Sequence, residues 1–334
     1  MAKRDEKIVV IGGGTGSFTL LSGLKNSFKH ITALVNMADD GGSSGQLRDE
    51  LGVLPPGDVR QCLVALSQSP ELRDLFNFRF EDGKLAGHSF GNLFLSAVEK
   101  MTGQFEDGVR LASEILRIQG EVLPISTDNH HLVLQTANGE VRGEYKIGHL
   151  DFGAVRKPTI TLDPTPTITS SAKRTIQEAD IVIIAPGNLY GSLAPALLVD
   201  GVGAALAATR AKVVYVCNLV TKPNQTDDFS VQDYADEIER FIGESALDYV
   251  LYNTDQPNQD TLSRYTHEGE FLVSFDTDEL AQAHFEAIGL PLIAKAPIVA
   301  KSNADSIAGS RSLIRHDAEK IAEELVRLCQ TVTS

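Results

Sequence analysis

The feature that most constrains this chain is a fully apolar run, Ile8-Val9-Val10-Ile11, broken at once by Gly12-Gly13-Gly14-Thr15-Gly16. Such a run, bounded by a glycine loop, reads as a strand buried on both faces. A helical pattern follows over residues 17–27, with Leu20, Leu21 and Leu24 on one face, and residues 31–35 give a second strand. Strand, glycine loop, helix and strand in that order open a doubly wound sheet. Glycine lets the backbone take φ > 0 and approach a ligand without a Cβ clash. The helix that follows offers free N–H groups and its positive dipole end to a phosphate. Gly12, Gly13, Gly14, Thr15 and Gly16 are therefore the first candidates for phosphate binding. The dinucleotide fingerprint G-x-G-x-x-G is incomplete, because Ser17 stands where the third glycine belongs. NAD accordingly ranks behind other nucleotides as a ligand.

Further along, residues 36–58 read as loop, with a Gly/Ser centre and a Pro55-Pro56 stop. Helices are expected at 59–67, 71–78, 90–101 and 105–119. The texture then changes: residues 121–136 and 140–146 alternate like strands around Asn138-Gly139, a hairpin-turn signal. This reads as a β-rich insertion at about residues 120–165 within one α/β domain spanning 1–334. The parallel pattern resumes with a strand at 181–185, helices within 192–209, a strand at 213–216, a helix at 231–242 and a strand at 249–251. Amphipathic helices are expected at 278–288 and 317–328.

Charge bounds the partners. The net charge of −15 argues against nucleic acid, which needs clustered Lys and Arg. An anionic ligand would need local donors, helix N-termini or a metal to offset that field. No apolar run approaches the roughly 18–20 residues of a membrane span, and the N-terminus lacks the apolar core of a signal peptide. The cysteines Cys62, Cys217 and Cys329 are far apart in the sequence, with neither metal-ligand spacing nor an even count. A cytoplasmic location is the expectation.

Four more motifs carry chemistry. Asp39-Asp40 precede a Gly/Ser loop containing Ser43 and Ser44, and Arg48 follows. Paired carboxylates there could hold Mg²⁺ with a diphosphate completing the shell, and Arg48 could fork onto phosphate. The hydrolase pattern G-x-S-x-G is also met, but the strand it requires is missing. Asp58, in Pro55-Pro56-Gly57-Asp58-Val59-Arg60, either caps the next helix or joins Asp39 or Asp40 around a metal, with Arg60 facing the anion. His88 and Asn92 flank a helix start capped by Ser89. Gly187 and Asn188, with Tyr190, form a second strand-end loop, which should face the same sheet edge as the first. His130 and His131, as strand neighbours, point to opposite faces and cannot easily share a metal.

The blocks stand in one order: Gly12 to Gly16, Ala38 to Gly45, Pro55 to Arg60, Gly87 to Asn92, Pro186 to Tyr190 and Tyr215 to Thr221. Together they resemble the gluconeogenesis-factor branch of the phospholactate-transferase (CofD-like) family, over residues 7 to about 330. The resemblance implies a Rossmann-like fold, with helices on both faces of a mostly parallel sheet, a cytoplasmic location and homodimers. It also implies binding of a nucleotide sugar, UDP-N-acetylglucosamine, and support of cell shape and peptidoglycan synthesis during gluconeogenic growth. A cell-wall synthesis or regulatory protein would be a further partner. By motif context it adds Asn218, Tyr265 and Arg315 to the nucleotide-sugar contacts, with Tyr265 stacking on the base. The transferase branch implies a different activity, a Mg²⁺-dependent transfer from a nucleotide-activated phospho-acid to a deazaflavin. In that branch acids at the Asp40 and Asp58 positions hold the metal.

Overall fold

The computed structural model describes residues 3–137, 139–153, 155–295 and 314–332. Its strands are β1 (Arg4–Ile11), β2 (Phe28–Val35), β3 (Glu121–Pro124), β4 (His131–Thr136), β5 (Gly139–Arg142), β6 (Ile160–Asp163), β7 (Ile181–Ile184), β8 (Lys212–Val216), β9 (Tyr249–Asn253) and β10 (Glu286–Leu290). Seven of them form a sheet in the order β10-β9-β8-β7-β1-β2-β3, and every neighbouring pair is parallel. The chain winds outward from β1 to β3, then returns to β7 and winds the other way. The order therefore reverses between β1 and β7.

The apolar runs are continuous because this sheet is covered on both faces. Ile8 and Val10 of β1, with Ile181 and Ile183 of β7, pack into one core. Val9, Ile11, Val182 and Ile184 pack into the other. Against the first face lie the helices Gly14–Ser27, Gly57–Leu66 and Ala318–Val332, through Leu20, Leu24, Val59, Leu63, Ile321 and Leu325. Against the second lie Ser170–Glu178, Val202–Ala208 and Val231–Ile242. The antiparallel sheet β5-β4-β6 adds Leu132, Leu134, Ile160 and Leu162 to that second core. This is the α/β Rossmann-like architecture expected, with helices on both faces. Among the described residues, no helix is long and apolar enough to cross a membrane.

Four local expectations change. The Gly/Ser segment after β2 is a helix, Gly42–Leu51, whose Ser43, Ser44, Gly45, Leu47 and Arg48 are buried. Packing overrides the poor intrinsic propensity of glycine and serine. Glu121–Pro124 pairs in parallel with β2 and so belongs to the main sheet; antiparallel pairing starts only at β4. Asn138 lies outside the described residues, although Thr136 and Gly139 pair across it. Past Arg142 the strand pattern gives way to a helix, Glu144–Gly148, because Asp40 Oδ1 accepts the Tyr145 N–H at 2.7 Å. Finally, residues 278–288 are not one helix. Only Thr277–Leu280 is helical, and β10 follows as the edge partner of β9. A short apolar run cannot by itself separate helix from strand.

The helix Gly14–Ser27 is seated by Leu21 and Leu24, both fully buried. Leu24→Ala should cost about 2–5 kcal/mol of unfolding free energy, measured by urea denaturation. The same change at Leu85, 44% exposed, should stay within about 0.5 kcal/mol.

Candidate functional site

At the end of β1 the chain must turn into a helix within two residues. Gly14 has φ +66, a left-handed conformation that favours glycine. Its N–H donates to Asp58 Oδ1 at 3.0 Å. The capping position, Gly13, supplies no side chain to the helix end. The next first-turn N–H groups, of Thr15 and Gly16, have no intrahelical acceptor by construction, and the positive dipole end sits with them.

The turn after β7 reaches the same place. A Cβ on Gly16 would lie only 1.7 Å from the Pro186 carbonyl oxygen, so the two turns are in backbone contact. Asn218, just beyond β8, clamps the second turn: its Nδ2 donates to Gly187 O at 2.8 Å, and its Oδ1 accepts the Gly187 N–H at 3.4 Å. Thr15, Gly16, Gly187, Asn218, Arg315 and His316 line an open cleft of about 160 Å³ here. Open α/β sheets bind ligands at this kind of point, where the strand order reverses.

Arg315 arrives from far along the chain. Ala294 N–H donates to Arg315 O at 2.8 Å, and Asp317 N–H to Leu292 O at 2.7 Å. His316 Nε2 donates to Cys217 O at 2.9 Å. Burial pulls the His316 pKa down to about 4, so at neutral pH the ring is an uncharged donor. Tyr265 is 6% exposed, and its hydroxyl accepts the Ile314 N–H at 3.0 Å. The expectation that Tyr265 offers an open stacking face is thereby corrected: the ring is core, and the hydroxyl positions the segment carrying Arg315.

Beside Gly13 and Gly14 stands a group of acids. Burial first, then the charge of Asp39, pushes Asp58 up to about 7. Asp39 is raised as well, chiefly by burial, although its Oδ1 accepts the Gly41 N–H at 3.0 Å and Ser44 donates to it. The acid whose charge Asp58 feels is thus Asp39, whereas the expected metal pair was Asp40 and Asp58. Asp40 spends one oxygen on the Tyr145 N–H instead. The sequence reading missed Glu144, which that same contact brings in on the first turn of its helix. Burial and the charges of Asp39, Asp58 and Asp40 push Glu144 up to about 8, while Lys222 opposes this. No local motif marks Glu144, since its placement depends on a cap from a residue 104 positions earlier. Among the described residues no group of three or more His, Cys, Asp or Glu side chains could hold a metal ion.

Other expected site residues have different tasks. Ser43 Oγ shares a hydrogen bond with His88 Nδ1 at 2.9 Å and accepts from Asn92 Nδ2 at 3.1 Å. Asn92 Oδ1 in turn accepts from Arg60 Nε at 2.9 Å. Arg60, 2% exposed, braces helices rather than facing an anion. Asn188 Oδ1 accepts the Gly191 N–H at 3.2 Å, capping its own turn. Tyr190 is fully buried against Phe152 and Phe241, its hydroxyl donating to Arg156 O at 3.1 Å. It does not line the cleft. Arg48 lines a separate cavity. Gly12, at φ +147, packs against Ser17 and Ala185 at the floor of the turn.

Residues 8–293 match a family profile described as 2-phospho-L-lactate transferase CofD. A Thermotoga maritima protein named "Putative gluconeogenesis factor" is 40% identical, over 96% of this chain and 99% of its own. The Bacillus subtilis protein named "Gluconeogenesis factor" is 38% identical, over 96% of this chain and 98% of its own. A crystal structure of a UPF0052 family protein from Bacillus halodurans superposes with a TM-score of 0.86 at 34% identity, covering 97% of this chain and all of that one.

Two outcomes follow from this geometry. Tyr265→Phe removes the hydroxyl that accepts the Ile314 N–H and should cost about 0.5–1.5 kcal/mol, read by chemical denaturation. The second concerns pH. A carboxyl whose pKa is raised on folding gives stability at low pH that is lost as pH rises through the folded value. His316, lowered to about 4, acts only below about 6.5, its unfolded value. Lys25, lowered to about 8 by burial, works the other way as pH nears 8. Between pH 6.5 and 7.5, therefore, the melting temperature of the apo protein should fall, and Glu144→Gln should flatten that slope in calorimetry.

Proposed function

This chain belongs to the CofD family, in its gluconeogenesis-factor branch, and from that premise we propose that it binds a nucleotide sugar across the β1 and β7 turns. One observation carries the reading. The uncapped helix start at Thr15 and Gly16, the clamped Gly187 turn and the Arg315 cation converge on one cleft at the strand-order reversal. Backbone amides and a guanidinium are the donors that a diphosphate requires. In a chain of charge −15 they are the local offset without which an anion would be repelled. The sugar nucleotide we assign is UDP-N-acetylglucosamine, carried over from the family resemblance. In this reading occupancy of the cleft is a signal, and the protein is a regulator of cell shape and peptidoglycan synthesis that works as a homodimer with a protein partner.

The second reading, a phospholactate-type transferase, is favoured by the raised acids beside Gly14. Asp39 and Asp58 are two neighbouring buried carboxylates that the charges of Arg48 and Arg60 offset only in part, which suits Mg²⁺ shared with phosphate oxygens. When bound, that cation would neutralise diphosphate charge. Asp40, with one oxygen committed to the insertion, could offer only the other.

Titration calorimetry with UDP-N-acetylglucosamine, with and without Mg²⁺, tests both readings. Saturable binding without turnover is the expected result. Gly16→Ala and Arg315→Ala should each weaken binding about tenfold or more. Affinity unchanged in both variants would overturn the placement. Turnover with a deazaflavin acceptor would favour the transferase.

A further inference from the structure

We infer that Glu144, Asn188 and Lys222 form a subsite for the sugar ring of the ligand, and that it selects a neutral, hydroxyl-rich ring over an acidic one. The inference rests on the nucleotide-sugar reading of the β1–β7 cleft. A diphosphate in that cleft carries a substituent at each end. Through Ile314 the cleft meets a cavity of about 420 Å³ lined by Asp255, Asn258 and Ile293, which has room for a nucleoside. Along the rim in the other direction of the chain, Asn188 directly follows Gly187, itself part of the cleft.

Three polar heads converge at Asn188, from the insertion, the turn after β7 and the loop beyond β8. Glu144 Oε1, Asn188 Nδ2 and Lys222 Nζ lie 3.8, 3.7 and 4.0 Å from the point where a side chain on Gly148 would begin. The first two also lie 2.6 and 2.9 Å from the same point on Gly191. Only glycine at 191 leaves them that position. Each head has capacity to spare. Among the described residues the Glu144 carboxyl makes no hydrogen bond, and only the charge of Lys222 favours its ionised form. The Asn188 oxygen caps Gly191 at 3.2 Å, and its two amide protons have no acceptor among the described residues. Lys222 Nζ donates to Gly148 O, which uses one of the three protons of an ammonium. All three residues are half-buried rather than sealed in the core. One acceptor and two donors thus stand together, unmet by the protein and open to a ligand.

The surroundings select the chemistry. Asp39, Asp58 and Asp40 place negative charge around Glu144, and Glu270 adds to it at Lys222. A carboxylate on the distal group would enter that field with one ammonium to receive it. A cationic group would meet that ammonium. An apolar group would strip water from all three heads and return no hydrogen bond. A neutral ring with adjacent hydroxyls answers each head, because a hydroxyl both donates and accepts. The Glu144 carboxyl accepts from it in either protonation state. A few convergent polar groups of this kind fix the orientation of a bound small molecule.

The test is titration calorimetry of the full chain at neutral pH with four probes: UDP-N-acetylglucosamine, UDP-glucose, UDP-glucuronate and the methyl ester of UDP. The ester keeps the charge of the diphosphate diester and lacks the ring. Both neutral sugars should bind about tenfold tighter than the ester, and UDP-glucuronate no tighter than the ester. In Glu144→Ala, Asn188→Asp and Lys222→Met that advantage should shrink to about twofold or less. Asn188→Asp keeps the oxygen that caps Gly191. The advantage is a ratio taken within each variant, so a changed field at the diphosphate cancels from it. Equal binding of ester and neutral sugars by the native chain, an undiminished advantage in any of the three variants, or UDP-glucuronate bound as tightly as UDP-glucose would overturn the subsite. Saturable binding of the ester would then show the nucleotide reading still standing. Failure of all four probes to bind would overturn both.

Discussion

The candidate site depends on the parallel pairing of β1 with β7. Ile8 lies beside Ile181, Val9 beside Val182, Val10 beside Ile183 and Ile11 beside Ile184, so the two strands end level. Their turns then emerge on one rim, close enough for Gly16 to rest on the Pro186 carbonyl. The register is strongly held. Alternate residues of both strands enter opposite cores, and a slip of one residue would send each side chain to the wrong face. Apolar burial far from any ligand thus fixes the position of two sets of backbone amides. Donors fixed this way need no reorganisation when a charge arrives.

Electrostatics then divides the rim in two. On the side of Thr15, Gly16 and Arg315 the groups are donors and a cation. On the side of Asp39, Asp58 and Glu144 they are acids raised by burial and mutual repulsion. An anion bound at the first favours protons or a cation at the second. The two halves are therefore linked, and the insertion takes part through Glu144 and through the contact between Asp40 and Tyr145. The C-terminal segment takes part through Arg315, held by Tyr265 and His316.

What could be read beforehand followed from how local each signal is. Ile8 to Gly16 and Ile181 to Gly187 carry their own structure, since a buried strand and a glycine turn need no distant partner to be recognised. The helix Gly42–Leu51 could not be read, because glycine and serine become helical there only under tertiary burial. Glu144 was invisible for a related reason: its cap comes from a distant loop. Tyr265 and Arg315 were named from resemblance and lie near each other in the fold, with the Tyr265 hydroxyl holding Ile314. Tyr190, beside the right turn, faces the core because Phe152 and Phe241 await it there.

The central claim is that backbone amides at two β-to-α turns receive a diphosphate. Amide-resolved ¹H–¹⁵N NMR of the chain titrated with UDP-N-acetylglucosamine addresses it without mutation. The account expects the largest changes at the N–H groups of Thr15 and Gly16, and at that of Gly187 as it exchanges its long 3.4 Å bond to Asn218 Oδ1 for phosphate. Saturable binding that left those three amides unchanged and shifted others would contradict it.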